Sequence, residues 1–337
     1  MSGQFVLITG STGHVGFATL VKALSNGYKV RAAVRSDAKA QLVKSAKSVQ
    51  PYSSQLEFVI VKDITRAGAF DEAVKGVDGI VHVASPIPNH DTKDFEAQVV
   101  TPAVEGTTQI LYSAKKEMSI KRVVVTSALA AVVQFPPLDE PFTADQLGHV
   151  QDEIPDAISA YLQSKVRANR AVRQFIKDEK PHFNIHSVMP TFVVGANELA
   201  TTVQEIDAGS NAFFLGPILG KKNEQGTLTG VCHLDDVAAV HIAALDPKLR
   251  GNLNFGVNYD YKQGFKWDDT IDIARKEFPD AVKAGILPLG GHCGDVFLKF
   301  DTSETERILS IKFKTPSEMG RNILQQYVQA AQAEQKA

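Results

Sequence analysis

Cysteine is nearly missing from this chain. Its 337 residues include two, Cys232 and Cys293, too few for a disulfide framework and wrongly spaced for zinc. Both are read as buried or idle thiols in a reducing compartment. An excess of one charge is missing as well: 36 basic against 38 acidic side chains leave a net charge of -2. Nothing electrostatic therefore points to nucleic acid or an anionic membrane as partner. No apolar stretch approaches the ~20 residues of a bilayer span, and the opening MSGQFVLITG has no basic region followed by a long apolar run. A cytoplasmic location is expected. No set of His, Cys and carboxylates has metal-site spacing, so no metal is expected. Repeats and low-complexity tracts are lacking too, apart from a polar tail near 329–337 that is expected to fray.

What is present is an ordinary globular composition, 44% hydrophobic and 22% charged, enough for one large domain with a smaller lobe or for two domains. In the first half, short β-branched runs alternate with helical patterns. Strands are expected at Phe5–Thr9, Tyr28–Val34, Leu56–Val61, Gly79–Ala84, Arg122–Ser127 and Ile185–Met189. Helices are expected near 14–26, 37–48, 68–76, 94–117 and 159–178. Compact apolar strands in β-α-β-α order imply an α/β fold, a Rossmann-type doubly wound parallel sheet. After Pro190 the texture turns irregular, as in NAFFLGPILGKKNEQGTLTG, until VCHLDDVAAVHIAAL restores a strand and a helix. The expected division is a nucleotide-binding domain over 1–189, with 231–258 returning to it. A smaller, mostly C-terminal substrate lobe takes 190–230 and 259–337, with helical periodicity over 301–331.

The strongest motif is FVLITGSTGHVGFATLVKAL. Glycine is needed where a backbone turns tightly, approaches a pyrophosphate closely and lets a helix pack on a strand, while the helix N-terminus attracts the phosphate charge. Gly10, Gly13 and Gly16 answer to that, and Thr12, His14 and Val15 complete the turn as expected cofactor contacts. Just past the second strand stands Arg35, where a carboxylate would hold a free ribose 2′-hydroxyl. A guanidinium there suits a 2′-phosphate, so NADP(H) is expected, with Lys39 one turn on as a second contact. The alternatives are that both are solvated surface charges, or that Asp37, two residues late, accepts from a ribose hydroxyl in an NAD reading. Asp63 and Ile64 follow the third strand, where the carboxylate either accepts from the adenine amino group or caps the next segment. The aliphatic neighbour would cover the ring. Val83, Ala84 and Ser85 follow the fourth strand, small enough for a backbone to approach the cofactor ribose.

In ISAYLQSKVRANRAV, Tyr161 and Lys165 lie four residues apart and share a helix face. An ammonium beside a phenol favours phenolate and can hold a ribose hydroxyl. A tyrosine so placed can give its proton to a carbonyl oxygen as hydride reaches carbon. His233 and His82 sit in strand patterns and are read as structural, while Asp235 and Asp236 are read as caps of the following helix.

With these motifs in hand, nearly the whole chain resembles the extended short-chain dehydrogenases/reductases. It is most similar to the branch of dihydroflavonol 4-reductases and fungal aldehyde and ketone reductases. The resemblance rests on the Gly-x-x-Gly-x-x-Gly spacing, Arg35, VHVASP, TPAVEGT at 101–107, Tyr161 with Lys165, VMPTFVVG at 188–195 and HLDDVAAVHIAAL at 233–245. It implies NADPH, a small-molecule carbonyl substrate, a monomer or homodimer, and cofactor contacts that include Thr126, Pro190 and Val193. It also implies a TSS run whose second serine hydrogen-bonds the substrate carbonyl. Here the run is Thr126, Ser127, Ala128, so the family's catalytic serine position is Ala128, which has no hydroxyl. Three readings stay open: an introduced substitution, a natural member in which Ser127, Thr126 or water donates instead, or a drift to another task. That last possibility includes an epimerase or dehydratase reaction and a catalytically impaired nucleotide-binding protein. The family's flavonoid-contacting asparagine corresponds to Val133, which favours a smaller or more apolar carbonyl. Segment 134–158 and Phe192, Phe213, Phe214 and Leu215 are expected to shape the pocket.

Overall fold

The computed structural model describes residues 3–86, 92–134 and 139–336. In chain order its strands are β1 (Phe5–Thr9), β2 (Lys29–Val34), β3 (Leu56–Ile60), β4 (Gly79–His82), β5 (Arg122–Thr126), β6 (Asn184–Pro190), β7 (Phe192–Val194), β8 (Lys222–Leu228), β9 (Val231–His233), β10 (Asn254–Val257) and β11 (His292–Val296). Its α-helices are α1 (His14–Ser25), α2 (Asp37–Ser45), α3 (Thr101–Lys115), α4 (Ala157–Glu179), α5 (Val203–Ile206), α6 (Asn211–Leu215), α7 (Leu234–Ala243), α8 (Asp269–Glu277), α9 (Pro279–Lys283), α10 (Ser303–Leu309) and α11 (Pro316–Glu334). The chain divides into one unit of 1–135, 143–189 and 238–255 and a second of 136–142, 190–237 and 256–337.

Seven strands form the sheet of the first unit in the order β10-β6-β5-β4-β1-β2-β3. Strands β1 to β6 pair in parallel throughout. Strand order reverses between β1 and β4, and in such sheets the crevice at the carboxyl ends of those two strands receives the ligand. The sheet holds because its central strands are apolar on both faces: Leu7, Ile80, Val123 and Ile185 pack with Ile110, Leu111 and Phe175 of the covering helices. Each fully buried Val, Leu or Ile contributes roughly 1.5–3 kcal/mol.

Several expected elements differ in detail. Residues 68–76 form a series of turns rather than a helix, bracketed by Gly68 and Gly76 at positive φ (74° and 69°). The stretch expected as one helix over 94–117 begins with a π-helical turn, Glu96–Val100, before α3. Pro102 explains it: lacking an N–H, it breaks the i→i−4 ladder, and the Thr101 N–H reaches back to the Glu96 carbonyl instead.

In the second unit β11 pairs with β8 and β7 with β9, both in parallel. Its core gathers Trp267, Phe214, Leu215, Phe265, Met319, Ile323 and Leu324. Phe214 and Leu215 are thus core, whereas Phe213 is 42% exposed. The C-terminal periodicity resolves into α10 and α11, separated by Ser310 in the left-handed region (φ 52°). A capping box, Thr315 with Glu318, starts α11. The expected fraying from 329 is corrected: α11 runs to Glu334, whose carboxylate accepts the Val203 N–H at 2.9 Å. Among the described residues no helix is long and apolar enough to cross a membrane, and no three His, Cys, Asp or Glu side chains gather as a metal site.

Candidate active site

The glycine turn lies between β1 and α1, at the point where the strand order reverses. Gly10 has φ +72°, and a Cβ on it would stand 2.8 Å from the Ala84 nitrogen. A Cβ on Gly16 would stand 2.0 Å from the Gly10 carbonyl oxygen. Both glycines therefore serve backbone-to-backbone packing. Gly13 is different, since its added Cβ would meet only the Gly10 oxygen, at an ordinary 3.5 Å. It is the N-cap of α1 without a side-chain hydrogen bond, and the first turn of α1 carries no acidic residue. Beside it, Ser11 Oγ is buried without a partner among the described residues. An uncapped helix N-terminus, a glycine with space over it and an orphaned hydroxyl fit an anionic pyrophosphate. Thr12, His14 and Val15 lie in the same turn.

At the ends of β2 and β3 the expected residues stand in the open. Arg35 and Lys39 are both exposed, with Ser36 between them capping α2 through the Lys39 N–H. The Asp63 carboxylate is occupied, accepting from the Thr65 N–H at 2.9 Å and its hydroxyl at 2.7 Å. Those bonds, with Arg66 and Arg35 in electrostatic reach, hold it below the usual carboxylate range. Asp63 closes a turn there and caps no helix. Ile64 packs its Cδ1 against Gly106 of α3, where an added Cβ would stand 2.8 Å away.

Beyond β4, the N–H groups of Val83 and Ala84 both donate to Thr9 Oγ1 at 3.1 Å. The same hydroxyl meets His82 Nδ1 at 3.0 Å. Thr9 thereby ties the ends of β1 and β4 together, a role that composition and periodicity do not reveal because the partners are more than seventy positions apart. His82 is fully buried, and burial pushes its imidazole down to about 3; its Nε2 has no partner among the described residues.

Helix α4 carries Tyr161 and Lys165. Asp156 caps it through the Ser159 N–H, and its apolar stripe buries Ala160, Val166, Val172 and Phe175. One turn separates the two side chains, with Lys165 Nζ 5.8 Å from the Tyr161 ring centroid. Lys165 Nζ donates to Ser85 Oγ at 3.0 Å, so the structure joins Ser85 to this pair. Burial governs both titrations, raising the Tyr161 phenol to about 12 and lowering the Lys165 ammonium to about 8. The expected shift of Tyr161 toward phenolate is therefore corrected: desolvation outweighs the ammonium, and the group is a phenol at neutral pH.

At the end of β5, Thr126 Oγ1 lies 2.7 Å from His241 Nε2 of α7. The Ser127 N–H continues the ladder to the Val188 carbonyl. Ser127 is 8% exposed and lines a small cavity with Lys165 and Thr126. Ala128 is 5% exposed, has an extended backbone and starts a 3₁₀ turn over Leu129–Ala131. Pro190 and Val193, at the end of β6 and within β7, are buried and belong to the second unit. Val133 is buried as well. Within the segment 134–158, residues 135–138 lie outside the described residues.

Two carboxylates differ from their expected role. Asp235 and Asp236 lie inside the first turn of α7 and not at its cap. The Asp236 carboxylate accepts the Lys314 N–H at 2.7 Å, and Asp235 pairs with Lys314 Nζ at 3.0 Å. His233 Nδ1 accepts the Asp235 N–H at 2.9 Å, and burial lowers its imidazole to about 4.

A doubly wound parallel sheet with a glycine turn at its switch point and a Tyr-x-x-x-Lys helix defines the Rossmann-like nucleotide-binding class. Residues 6–256 match the pattern of the NAD dependent epimerase/dehydratase family, and the chain belongs to that family. It is 34% identical to the ketoreductase CTB6 of Cercospora nicotianae over 343 residues, covering 98% of this chain and 96% of that protein. It is 36% identical to the NAD-dependent epimerase/dehydratase ALT6 of Alternaria alternata, covering 92% of this chain and 94% of that one. Among solved structures, yeast methylglyoxal/isovaleraldehyde reductase Gre2 complexed with NADPH superposes with a TM-score of 0.81 at 23% identity. That match covers 99% of this chain and 100% of the other, and at this identity it speaks for the fold.

Proposed function

We propose that the chain is an NADPH-dependent oxidoreductase that reduces aldehyde or ketone carbonyls. The observation that carries the reading is the arrangement on α4: Tyr161, one turn from Lys165, whose ammonium is held by Ser85 at the end of β4. Gly10, Thr12, Gly13, His14, Val15 and Gly16 would hold the pyrophosphate, and Arg35 and Lys39 the 2′-phosphate. When bound, the nicotinamide supplies hydride to the carbonyl carbon.

The protein's own part is the proton. Tyr161 is a phenol at neutral pH because burial raises it to about 12, so it enters the reaction as donor and not as base. An alkoxide is a stronger base than a phenolate, so transfer from Tyr161 Oη to the developing alkoxide runs downhill. Lys165 stabilises the phenolate left behind. The carbonyl oxygen gains nothing from position 128, and a missing oxyanion donor costs about 10²–10³ in rate. The proposed enzyme is correspondingly slowed.

The test is NADPH consumption against a panel of small aldehydes and ketones, with Tyr161→Phe and Lys165→Met beside the unaltered protein. Turnover lost in both variants supports the reading, and absence of turnover with every carbonyl in the panel refutes it. The family's name favours a second reading, an epimerase or dehydratase reaction. Product mass decides between them: isomerisation leaves the mass unchanged, dehydration removes water, and reduction adds two hydrogens.

A further inference from the structure

Beside Lys165, α4 and the end of β5 line a small chamber of about 10 Å³ with both polar and apolar walls, the size that holds a single water molecule. Lys165, Asn169, Ser85, Thr126, Ser127 and Ser187 contribute to its walls. Asn169 stands one helical turn beyond Lys165, so the two share a face of α4. It is 3% exposed, and both its Oδ1 and its Nδ2 lack a partner among the described residues. Leaving an amide buried and unsatisfied at both ends is costly, and such groups are ordinarily paired with protein or with ordered water. An ammonium has three donors, and one of those of Lys165 is committed to Ser85.

We propose that the chamber holds one internal water bound between the Asn169 amide and the Lys165 ammonium, and that Asn169 acts through it as a positioning residue for Lys165. The water oxygen accepts from Lys165 Nζ while the amide and the chamber hydroxyls supply its remaining partners, within the two to four that buried waters make. Nothing in the glycine motif or the Tyr-x-x-x-Lys spacing calls for an amide at 169. The effect on Lys165 has a definite sign: a hydrogen bond accepted from the ammonium favours the charged form and opposes the desolvation that depresses it. The other titratable groups in reach among the described residues are Tyr161 on α4, His82 at the end of β4 and His241 behind Thr126. The α3 residue at the chamber, Thr107, is uncharged.

The proposal's catalytic meaning rests on the reductase reading, but its test does not need turnover. A crystal structure of the protein without nucleotide should show ordered density within hydrogen-bond distance of the Asn169 amide. Lys165 Nζ, followed by NMR in ¹⁵N-lysine-labelled protein and assigned with Lys165→Arg, should titrate about one pH unit lower in Asn169→Leu. In Asn169→Asp, where a carboxylate replaces the amide, it should titrate higher than in the unaltered protein. These opposite shifts hold even if one variant folds poorly, since the other still reads the direction. Where turnover is present, the alkaline limb of kcat/KM should move the same way in each variant. A chamber without density, or a Lys165 titration unmoved by both substitutions, overturns the proposal whether or not a carbonyl is reduced. Density and opposite shifts without turnover would leave the water in place and refute only the reductase reading.

Discussion

Two glycines three residues apart, Gly13 and Gly16, should respond differently to the same added methyl group. In Gly16→Ala the new Cβ would stand 2.0 Å from the Gly10 oxygen and 2.5 Å from its carbonyl carbon. No side chain can yield there, so backbone must move, at the roughly 1–3 kcal/mol or more of an overpacked site. Alanine's helix propensity returns at most about 1 kcal/mol, because position 16 lies inside α1. The net expectation is a destabilised protein. In Gly13→Ala the nearest atom is 3.5 Å away, and φ −97° suits any L-residue. The cost is the loss of a tolerable N-cap, about 1 kcal/mol or less. Yet the methyl would fill the space over the helix N-terminus where a pyrophosphate must come close. Urea denaturation of the nucleotide-free proteins should therefore show a lower midpoint for Gly16→Ala and little change for Gly13→Ala. Titration with NADPH should show binding weakened at least about tenfold for Gly13→Ala. Undiminished NADPH binding by Gly13→Ala would refute the assignment of the turn, and an unshifted midpoint for Gly16→Ala would refute the packing argument.

Arg35→Ala should weaken NADPH binding by about 10–100-fold, the value of lost charge-assisted hydrogen bonds, and leave NADH binding unchanged; equal losses for both nucleotides would remove Arg35 from the 2′-phosphate site. Ala128→Ser should raise kcat/KM for carbonyl reduction by about 10²-fold or more if position 128 faces the reacting oxygen, and an unchanged rate would place polarisation elsewhere. His82 sits at about 3 in the folded protein against an unfolded value near 6.5. Its contribution to stability is full above pH 6.5 and lost as pH falls toward 3. In that window it adds about 1.4 kcal/mol per pH unit to the slope. His82→Asn should flatten the slope of unfolding free energy against pH by that amount, and an unaltered slope would mean that the imidazole titrates freely.

What the sequence discloses follows the range of the interaction involved. The clash that forbids a side chain at position 16 is with residue 10, inside the same turn, so its glycine spacing is legible. The clash at position 10 is with Ala84, and nothing local announces it. Six of the seven sheet strands are legible as compact apolar runs, while β10, the short NFGV at the sheet edge, is not, and the helix of Tyr161 and Lys165 is legible because its stripe is amphipathic. By contrast, Pro102 could be read as a break but not as the cause of a π turn, because that depends on which carbonyl the Thr101 N–H finds. The tail at 329–334 looks dispensable by composition and is anchored by one long-range bond, Glu334 to Val203. Thr9 and Asn169 are invisible in sequence for the same reason: a hydroxyl serving three groups and an amide serving none are facts of packing.

The same logic bears on the absent hydroxyl. Sheet pairing persists past the end of β5, with the Ser127 N–H still bonded to Val188, and Ala128 remains extended at φ −161° and ψ 162°. Successive side chains of extended backbone point to opposite sides. Ser127 lines the chamber behind Lys165, and Ala128 does not. A hydroxyl at 127 therefore lies in the neighbourhood of the ammonium, and extended backbone turns a side chain at 128 to the other side. Thr126 Oγ1 is engaged with His241 Nε2 at 2.7 Å. In the proposed reduction the burden of charge stabilisation then falls on Tyr161, together with any water that reaches the carbonyl oxygen. A phenol buried to about 12 can carry it only while Lys165 stays protonated beside it, and an ammonium depressed to about 8 leaves little margin. That narrow margin gives a water at Asn169 its chemical significance.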